Sequence, residues 1–268
     1  MNPADLSEPF DDLLYERDGH IARITLNRPD RGNALTGDMQ ARARAIWDEV
    51  RDDPEIRVAI VTATGERHFS TGADVNAVAT NGRVSAGDGP MTDEVFWSPH
   101  QNRVWKPVIT AVNGLVNGGG LHLVVDSDIV VASTNASFMD THVNVGMVGA
   151  IENIGLTKRL PMGTALRMTL QGKNFRLSAE RAYQLGLVDE LVAPEDLLST
   201  AEQIAADIVK NSPHAVSLSK QALWSAQEMG YKHAMEYGWA LLRMHWAHPD
   251  FAEGPKAFAE RREPKWTT

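Results

Sequence analysis

Apolar and polar residues alternate from Ile21 to Leu26, the period of a strand with one buried face. A charged turn with proline and glycine, Asn27-Arg28-Pro29-Asp30-Arg31-Gly32-Asn33, follows. Met39, Ala43, Ile46, Trp47 and Val50 then recur at helical spacing and define a single apolar face. Three short apolar runs without polar alternation, Val58 to Val61, Val108 to Val112 and Ile129 to Ala132, predict strands buried on both faces. Such strands separated by helical stretches predict an α/β architecture. Between the first two runs, Thr80 to Pro99 is polar and rich in glycine and proline, the composition of a long surface loop and a candidate lid.

Further along, Ser178 can cap a helix over Ala179 to Leu185 that Gly186 closes before the strand-like Leu187 to Val192. From Pro194 the pattern becomes helical throughout: Leu197 to Lys210, Pro213 to Glu228, Tyr231 to Ala247 and Phe251 to Arg262, with Ser212-Pro213 as a cap and first-turn proline. The chain therefore divides into an α/β core over residues 1–193 and a helical part over 194–268. That helical part holds Trp224, Trp239, Trp246 and Trp266, four of the seven tryptophans, and must bury them on the core or against another subunit.

At 268 residues, with 43% apolar and 23% charged content, the chain has the balance of a globular protein with a large core. The absence of cysteine excludes disulfides, thiolate metal sites and a cysteine nucleophile. A net charge of −9 opposes general binding to nucleic acid or an anionic membrane, while leaving room for a local basic pocket. The opening stretch Met1 to Asp12 has no apolar core of a signal or transit peptide, and no segment reaches the roughly 20 apolar residues of a membrane span. A cytoplasmic protein is the expectation.

Two glycine-bearing segments carry the candidate chemistry. In His68-Phe69-Ser70-Thr71-Gly72-Ala73-Asp74-Val75, glycine lets the backbone turn sharply and present the Ala73 amide to a ligand. In Val112-Asn113-Gly114-Leu115-Val116-Asn117-Gly118-Gly119-Gly120-Leu121-His122-Leu123, three glycines follow a strand and open into a helix, where unpaired amides face outward toward negative charge. Neither segment has the Gly-Lys-Ser/Thr of a phosphate-binding loop or the spacing of a dinucleotide fingerprint, so nucleotide hydrolysis and hydride transfer lose support.

The order of these segments resembles that of the enoyl-CoA hydratase/isomerase (crotonase) family. The resemblance runs from about Leu14 to the C-terminus. It rests on Ile24 to Leu35 (Ile-Thr-Leu-Asn-Arg-Pro-Asp-Arg-Gly-Asn-Ala-Leu), Thr71 to Asp74, Lys106-Pro107-Val108-Ile109, the triple glycine, Ser127-Asp128-Ile129, and Asp250 to Gly254 with Ala257 to Pro264. The resemblance implies an α/β spiral of ββα units with a helical C-terminal part, assembled as a homotrimer or a dimer of trimers. It implies an acyl-CoA substrate, with coenzyme A arriving as part of that substrate, no tightly bound cofactor and no metal. It places the thioester carbonyl between the backbone amides of Ala73 and Gly119, two fixed donors suited to an enolate or tetrahedral oxyanion. It places Arg31, Ala73 and Asp74 at the CoA site, with Phe258 and Arg261 near the adenine, in reach of a neighbouring subunit's ligand. The acyl pocket then falls to Val75 to Trp105, with Phe96, Trp97 and Trp105 as candidate apolar walls.

The sequence departs from the hydratase pattern where the two catalytic glutamates of the family stand. Both positions hold histidine, His122 and His142, and the nearby position that carries aspartate in some isomerase and dehalogenase relatives is Ala150. Imidazole suits general-base work near neutral pH, and the helix dipole at the first turn disfavours a cation at His122. Glu152 can supply a carboxylate by another route, and Asp140 can orient a histidine. The leading expectation is an acyl-CoA enzyme resembling enoyl-CoA hydratase in which His122 and His142 share the acid/base work of the two glutamates; hydrolysis of a β-keto or ring-containing acyl-CoA and silent acyl-CoA binding are the alternatives.

Overall fold

The computed structural model describes residues 2–74 and 89–267. Two sheets organise the core. The larger has strand order β1-β2-β3-β5-β7-β10, built from Leu13–Asp18, Ile21–Leu26, Val58–Ala63, Val108–Val112, Ile129–Ser133 and Glu190–Val192. The smaller has order β4-β6-β8-β9, from His68–Ser70, Leu115–Asn117, Ser137–Met139 and Leu177–Ser178. Only the β1/β2 and β8/β9 pairs are antiparallel. Successive strands step from one sheet to the other, β3 to β4, β5 to β6 and β7 to β8, so the chain climbs as a spiral. This is the α/β spiral expected from the sequence.

The alternation at Ile21–Leu26 is realised as written: Ala22, Ile24 and Leu26 are buried and their neighbours are half-exposed. All residues of Val58–Ala63 and Val108–Val112 are buried, because layers cover both faces of these central strands. One layer is the helix Gly37–Asp52, capped by Thr36 and inserting Met39, Ile46, Trp47 and Val50 into the main core. The opposite face is covered by the helix Leu197–Val209, whose Leu197, Ala201 and Ala205 pack on Val58, Ile60, Ile109 and Val131. Its apolar face thus completes the sheet's second core, across the 193/194 division drawn from composition.

The tryptophans of the helical part differ in their surroundings. Trp224 donates to Asp128 at 2.7 Å, and Trp266 donates to the carbonyl of Lys210 at 2.7 Å. Trp239 and Trp246, in contrast, remain 55% and 46% exposed beside Leu223 and Phe251. Among the described residues no helix is long and apolar enough to cross a membrane.

Candidate active site

The first amide is shaped by a short bridge. Leu35 N–H donates to Gly72 O at 2.8 Å and Asp74 N–H donates to Leu35 O at 3.0 Å, a parallel pairing that uses residues 72 and 74. The N–H of Ala73 therefore points away from Leu35. The second amide belongs to Gly119, second residue of the 3-10 turn Gly118–Leu121, where an N–H has no acceptor within the turn. The segments are close: a Cβ on Gly119 would lie 3.7 Å from the Ala73 nitrogen. Glycine at 72 is required twice over, by its φ of +86° and because a Cβ would meet Asn117 O at 2.9 Å and Gly119 N at 3.1 Å. The fold thus brings Ala73 and Gly119 together at one spot.

Beside that spot lies a chain of polar side chains. His142 begins a 3-10 turn after β8, and its ring lies over Gly118, with Cε1 3.3 Å from where a Cβ would stand. Its Nδ1 donates to Asp140 Oδ1 at 2.5 Å and lies 3.2 Å from Glu152 Oε1. The other oxygen of Glu152, Oε2, lies 3.4 Å from His122 Nε2. Glu152 comes from the first turn of the helix Ile151–Arg159, and the next residue, Asn153, donates to Asp140 Oδ2 at 2.6 Å. Asp140, Glu152 and His122 are all buried. The structure therefore unites all four side chains singled out from the sequence, with Glu152 between the two imidazoles.

Their environments push the groups apart. Burial, with the charge of His142 adding to it, drives the His122 pKa down to about 4, so this imidazole is neutral. The cause differs from the helix dipole expected from sequence, since the helix His122–Val125 has only four residues. For His142 the hydrogen bond to Asp140 dominates and, with the charge of Glu152, raises its pKa against the effect of burial. Burial raises Glu152 above the ordinary carboxylate range. Burial also works against ionised Asp140, but the ring and backbone N–H of His142 and the amide of Asn153 together hold it below its usual value.

Two contributors were not evident from the sequence, Gln101 and Asn153. Gln101 Nε2 is 3.1 Å from His122 Nδ1. Neither stands in a motif, because each acts across a tertiary contact. Near Ala73, the turn Pro29–Arg31 is tied in by Thr71 N–H donating to Gly32 O at 2.9 Å, which leaves the exposed Arg31 at this rim. Asp74 faces Arg28 at 3.5 Å. Phe258, 87% exposed, and Arg261 both project to solvent from the last helix and its C-cap, so within one chain Phe258 covers nothing. Of the candidate pocket walls, Trp97 packs on the main core, Phe96 lies under the Arg44 guanidinium at 4.0 Å, and Trp105 stands edge-on to His100. The remainder of that segment, 75–88, lies outside the described residues.

One group among the described residues has the composition of a metal site: His214, His245 and His248, with ring nitrogens within 4.8 Å of one another. Its geometry is that of a shared proton instead. His214 and His245 meet Nδ1 to Nδ1 at 2.8 Å, closer than the roughly 3.3 Å between two nitrogens on one tetrahedral zinc ion, and His248 stacks face-on over His214 at 4.0 Å.

The spiral of two sheets sets two backbone amides beside a carboxylate and two imidazoles, an arrangement suited to stabilising an oxyanion. The particular family follows from comparison with known proteins. The family model described as enoyl-CoA hydratase/isomerase matches residues 16–268, and the chain belongs to that family. It is 37% identical over 256 residues to the (E)-benzylidenesuccinyl-CoA hydratase of Thauera aromatica, covering 94% of this chain and 97% of the relative. It is 34% identical over 265 residues to the carnitinyl-CoA dehydratase of Escherichia coli strain K12, covering 95% and 97%. Among solved structures it is similar to an enoyl-CoA hydratase/isomerase from Mycobacterium paratuberculosis, with a TM-score of 0.88 and 38% identity over 97% of this chain and 99% of that one. The protein is an acyl-CoA enzyme of the enoyl-CoA hydratase type.

Proposed function

We propose that the enzyme adds water reversibly across a carbon–carbon double bond conjugated to a CoA thioester, with Glu152 and His142 as the acid/base pair. The observation that carries this reading is the placement of Glu152: one carboxylate oxygen 3.2 Å from His142 and the other 3.4 Å from His122, beside the Gly118–Gly119 turn. The amides of Ala73 and Gly119 receive the thioester oxygen and stabilise the enolate, an interaction typically worth about 3 kcal/mol per donor.

In the hydration direction Glu152 takes a proton from water while the water oxygen bonds to the β-carbon and the π electrons move onto the thioester oxygen. His142, in the protonated form that its pairing with Asp140 favours, donates from Nε2 to the α-carbon, and the carbonyl re-forms. Glu152 has then gained one proton and His142 has lost one, and exchange with solvent restores both. His122 stays neutral, so its part is to flank Glu152 rather than to act as a second base. Arg31, Asp74, Phe258 and Arg261 are assigned to the CoA moiety. The last two act from a neighbouring subunit in a homotrimer or dimer of trimers, an assembly supported by the exposed Trp239, Trp246 and Leu223.

The test is loss of the conjugated thioester absorbance when the enzyme meets crotonyl-CoA and an aryl-substituted enoyl-CoA. Saturable binding without any loss of conjugation refutes hydration. The Asp140–His142 contact favours a second reading, since a carboxylate-oriented imidazole also activates water toward a carbonyl. Release of free CoA thiol from a β-keto acyl-CoA would support that reading instead.

A further inference from the structure

We propose that Gln101 is a positioning residue that fixes the tautomer of His122 and thereby sets its Nε2 proton on the side of Glu152. This rests on the assignment of Glu152 to the acid/base pair. The argument starts from two backbone donors. The N–H groups of Trp97 and Ser98 point at the same side-chain atom of Gln101, at 2.9 and 3.0 Å. A backbone N–H only donates, so that atom is the carbonyl oxygen Oε1. The amide nitrogen Nε2 therefore faces His122 Nδ1, 3.1 Å away, and an amide nitrogen only donates. His122 Nδ1 must accept. In a neutral imidazole the proton then sits on Nε2, the nitrogen that lies 3.4 Å from Glu152 Oε2.

The anchor that holds Gln101 is itself built into the core. Ser98 is fully buried and its hydroxyl donates to Asp126, the residue that ends the helix carrying His122. The Gln101 backbone N–H returns to the Ser98 hydroxyl at 3.4 Å. The Ser98–Gln101 turn is thus clipped to the His122 helix at both ends, by Asp126 and by the imidazole. A glutamine whose amide can turn over would leave the His122 tautomer undetermined. This one cannot turn without placing its NH₂ against two backbone donors, at the penalty of unmade hydrogen bonds. The acidic and basic groups around His122 are Glu152, His142 behind it, and Asp126 beyond Ser98.

Long-range ¹⁵N–¹H correlation of the histidine rings reads the tautomer directly and needs no substrate, with His122 assigned by loss of its signals in His122→Gln. The expected result is a proton on Nε2 and a bare Nδ1 in the parent protein. Gln101→Glu preserves Oε1 for Trp97 and Ser98 but turns an acceptor toward Nδ1, which must then carry a proton. With it, kcat falls about 10- to 100-fold, the size typical of outer partners on an acting group, the pH profile of kcat shifts, and KM changes little. Gln101→Met, which removes the turn's acceptor as well, serves as the control for purely structural loss. A parent with the proton on Nδ1 overturns the proposal. So does a Gln101→Glu enzyme with the parent's tautomer and pH profile. A parent with the expected tautomer that hydrates no enoyl-CoA would refute the proposed reaction and leave the positioning of His122 standing.

Discussion

Replacing Gly149 by alanine tests the site through packing alone, since it removes neither a charge nor a hydrogen-bonding group. A Cβ at this position would stand 2.5 Å from Asp140 Oδ2, 2.6 Å from Asn153 Nδ2 and 3.3 Å from His142 Nδ1. Ordinary contact begins at 3.4 Å, so the carboxylate and the amide must each retreat by roughly 0.8–0.9 Å. They are now joined at 2.6 Å across that very spot, and the retreat breaks the bond. Loss of a hydrogen bond to a charged group costs about 1.5–3 kcal/mol, and overpacking of a tight site costs about 1–3 kcal/mol. The two describe one event and are not summed, so a loss of about 2–3 kcal/mol is expected, a midpoint lowered by roughly 4–6 °C. Asp140 also orients His142, so turnover should fall more steeply than stability accounts for. Thermal unfolding and enoyl-CoA turnover at a temperature where the variant is folded read the two effects separately. A Gly149→Ala protein with the parent's midpoint and turnover would falsify the proposed dependence of His142 on the Asp140–Asn153 contact.

The remaining predictions address the base, the oxyanion site, pH and assembly. Glu152→Gln retains the volume but not the basicity, and kcat should fall about 10²- to 10⁴-fold with acyl-CoA affinity nearly unchanged; unchanged turnover rules Glu152 out as the base. Gly72→Ala forces a side chain between Asn117 O and Gly119 N and spreads the two amides, so turnover should drop at least about tenfold by the same absorbance assay, and parental turnover would clear these amides of the role. His122, near 6.5 when unfolded and about 4 when folded, contributes stability that is complete above about pH 6.5 and is lost as pH falls toward 4, on the order of 3 kcal/mol. His142 is shifted the other way, so its contribution is complete below about pH 6.5 and disappears as pH rises through its folded value. Urea midpoints of the parent and His122→Asn between pH 4 and 7 should therefore diverge, and parallel lines would contradict the buried neutral imidazole. Trp239→Glu places a charge on the exposed apolar face and, if the proposed trimeric assembly uses that face, should lower the sedimentation coefficient; parent and variant sedimenting alike would count against that assembly.

Much of the fold was legible because its signals are local. The strand Ile21–Leu26 shows period-two alternation, and the buried runs at Val58 and Val108 are too apolar for any edge of a sheet. Ser178 and Gly186 bracket the helix Ala179–Leu185 with a side-chain cap and a left-handed closure. The helix Leu197–Val209 was legible as a helix but not as the lid of a second core, because periodicity tells which face is apolar and not what lies against it. The same limit applies to the site. Asp140 and His142 are two residues apart and could be paired on paper, whereas Gln101 and His122 meet across 21 residues through a turn no motif marks.

The two histidines at the family's glutamate positions suggested a pair of imidazoles sharing the work between them. The geometry argues for a different division. Two groups serve as acid and base when their surroundings drive their proton affinities in opposite directions. His122 and His142 are indeed driven apart, one down to about 4 by burial and the other up by Asp140. Gln101 holds Nδ1 of His122 and Glu152 lies 3.4 Å from its Nε2, while Asp140 takes Nδ1 of His142. A neutral imidazole whose Nδ1 accepts from Gln101 and whose Nε2 carries the proton has no lone pair left to take another. On the proposed reading the base is therefore the carboxylate of Glu152. The exchange of two glutamates for two histidines thus leaves the site with one carboxylate still in it, delivered from the next helix and held between the residues that replaced the pair.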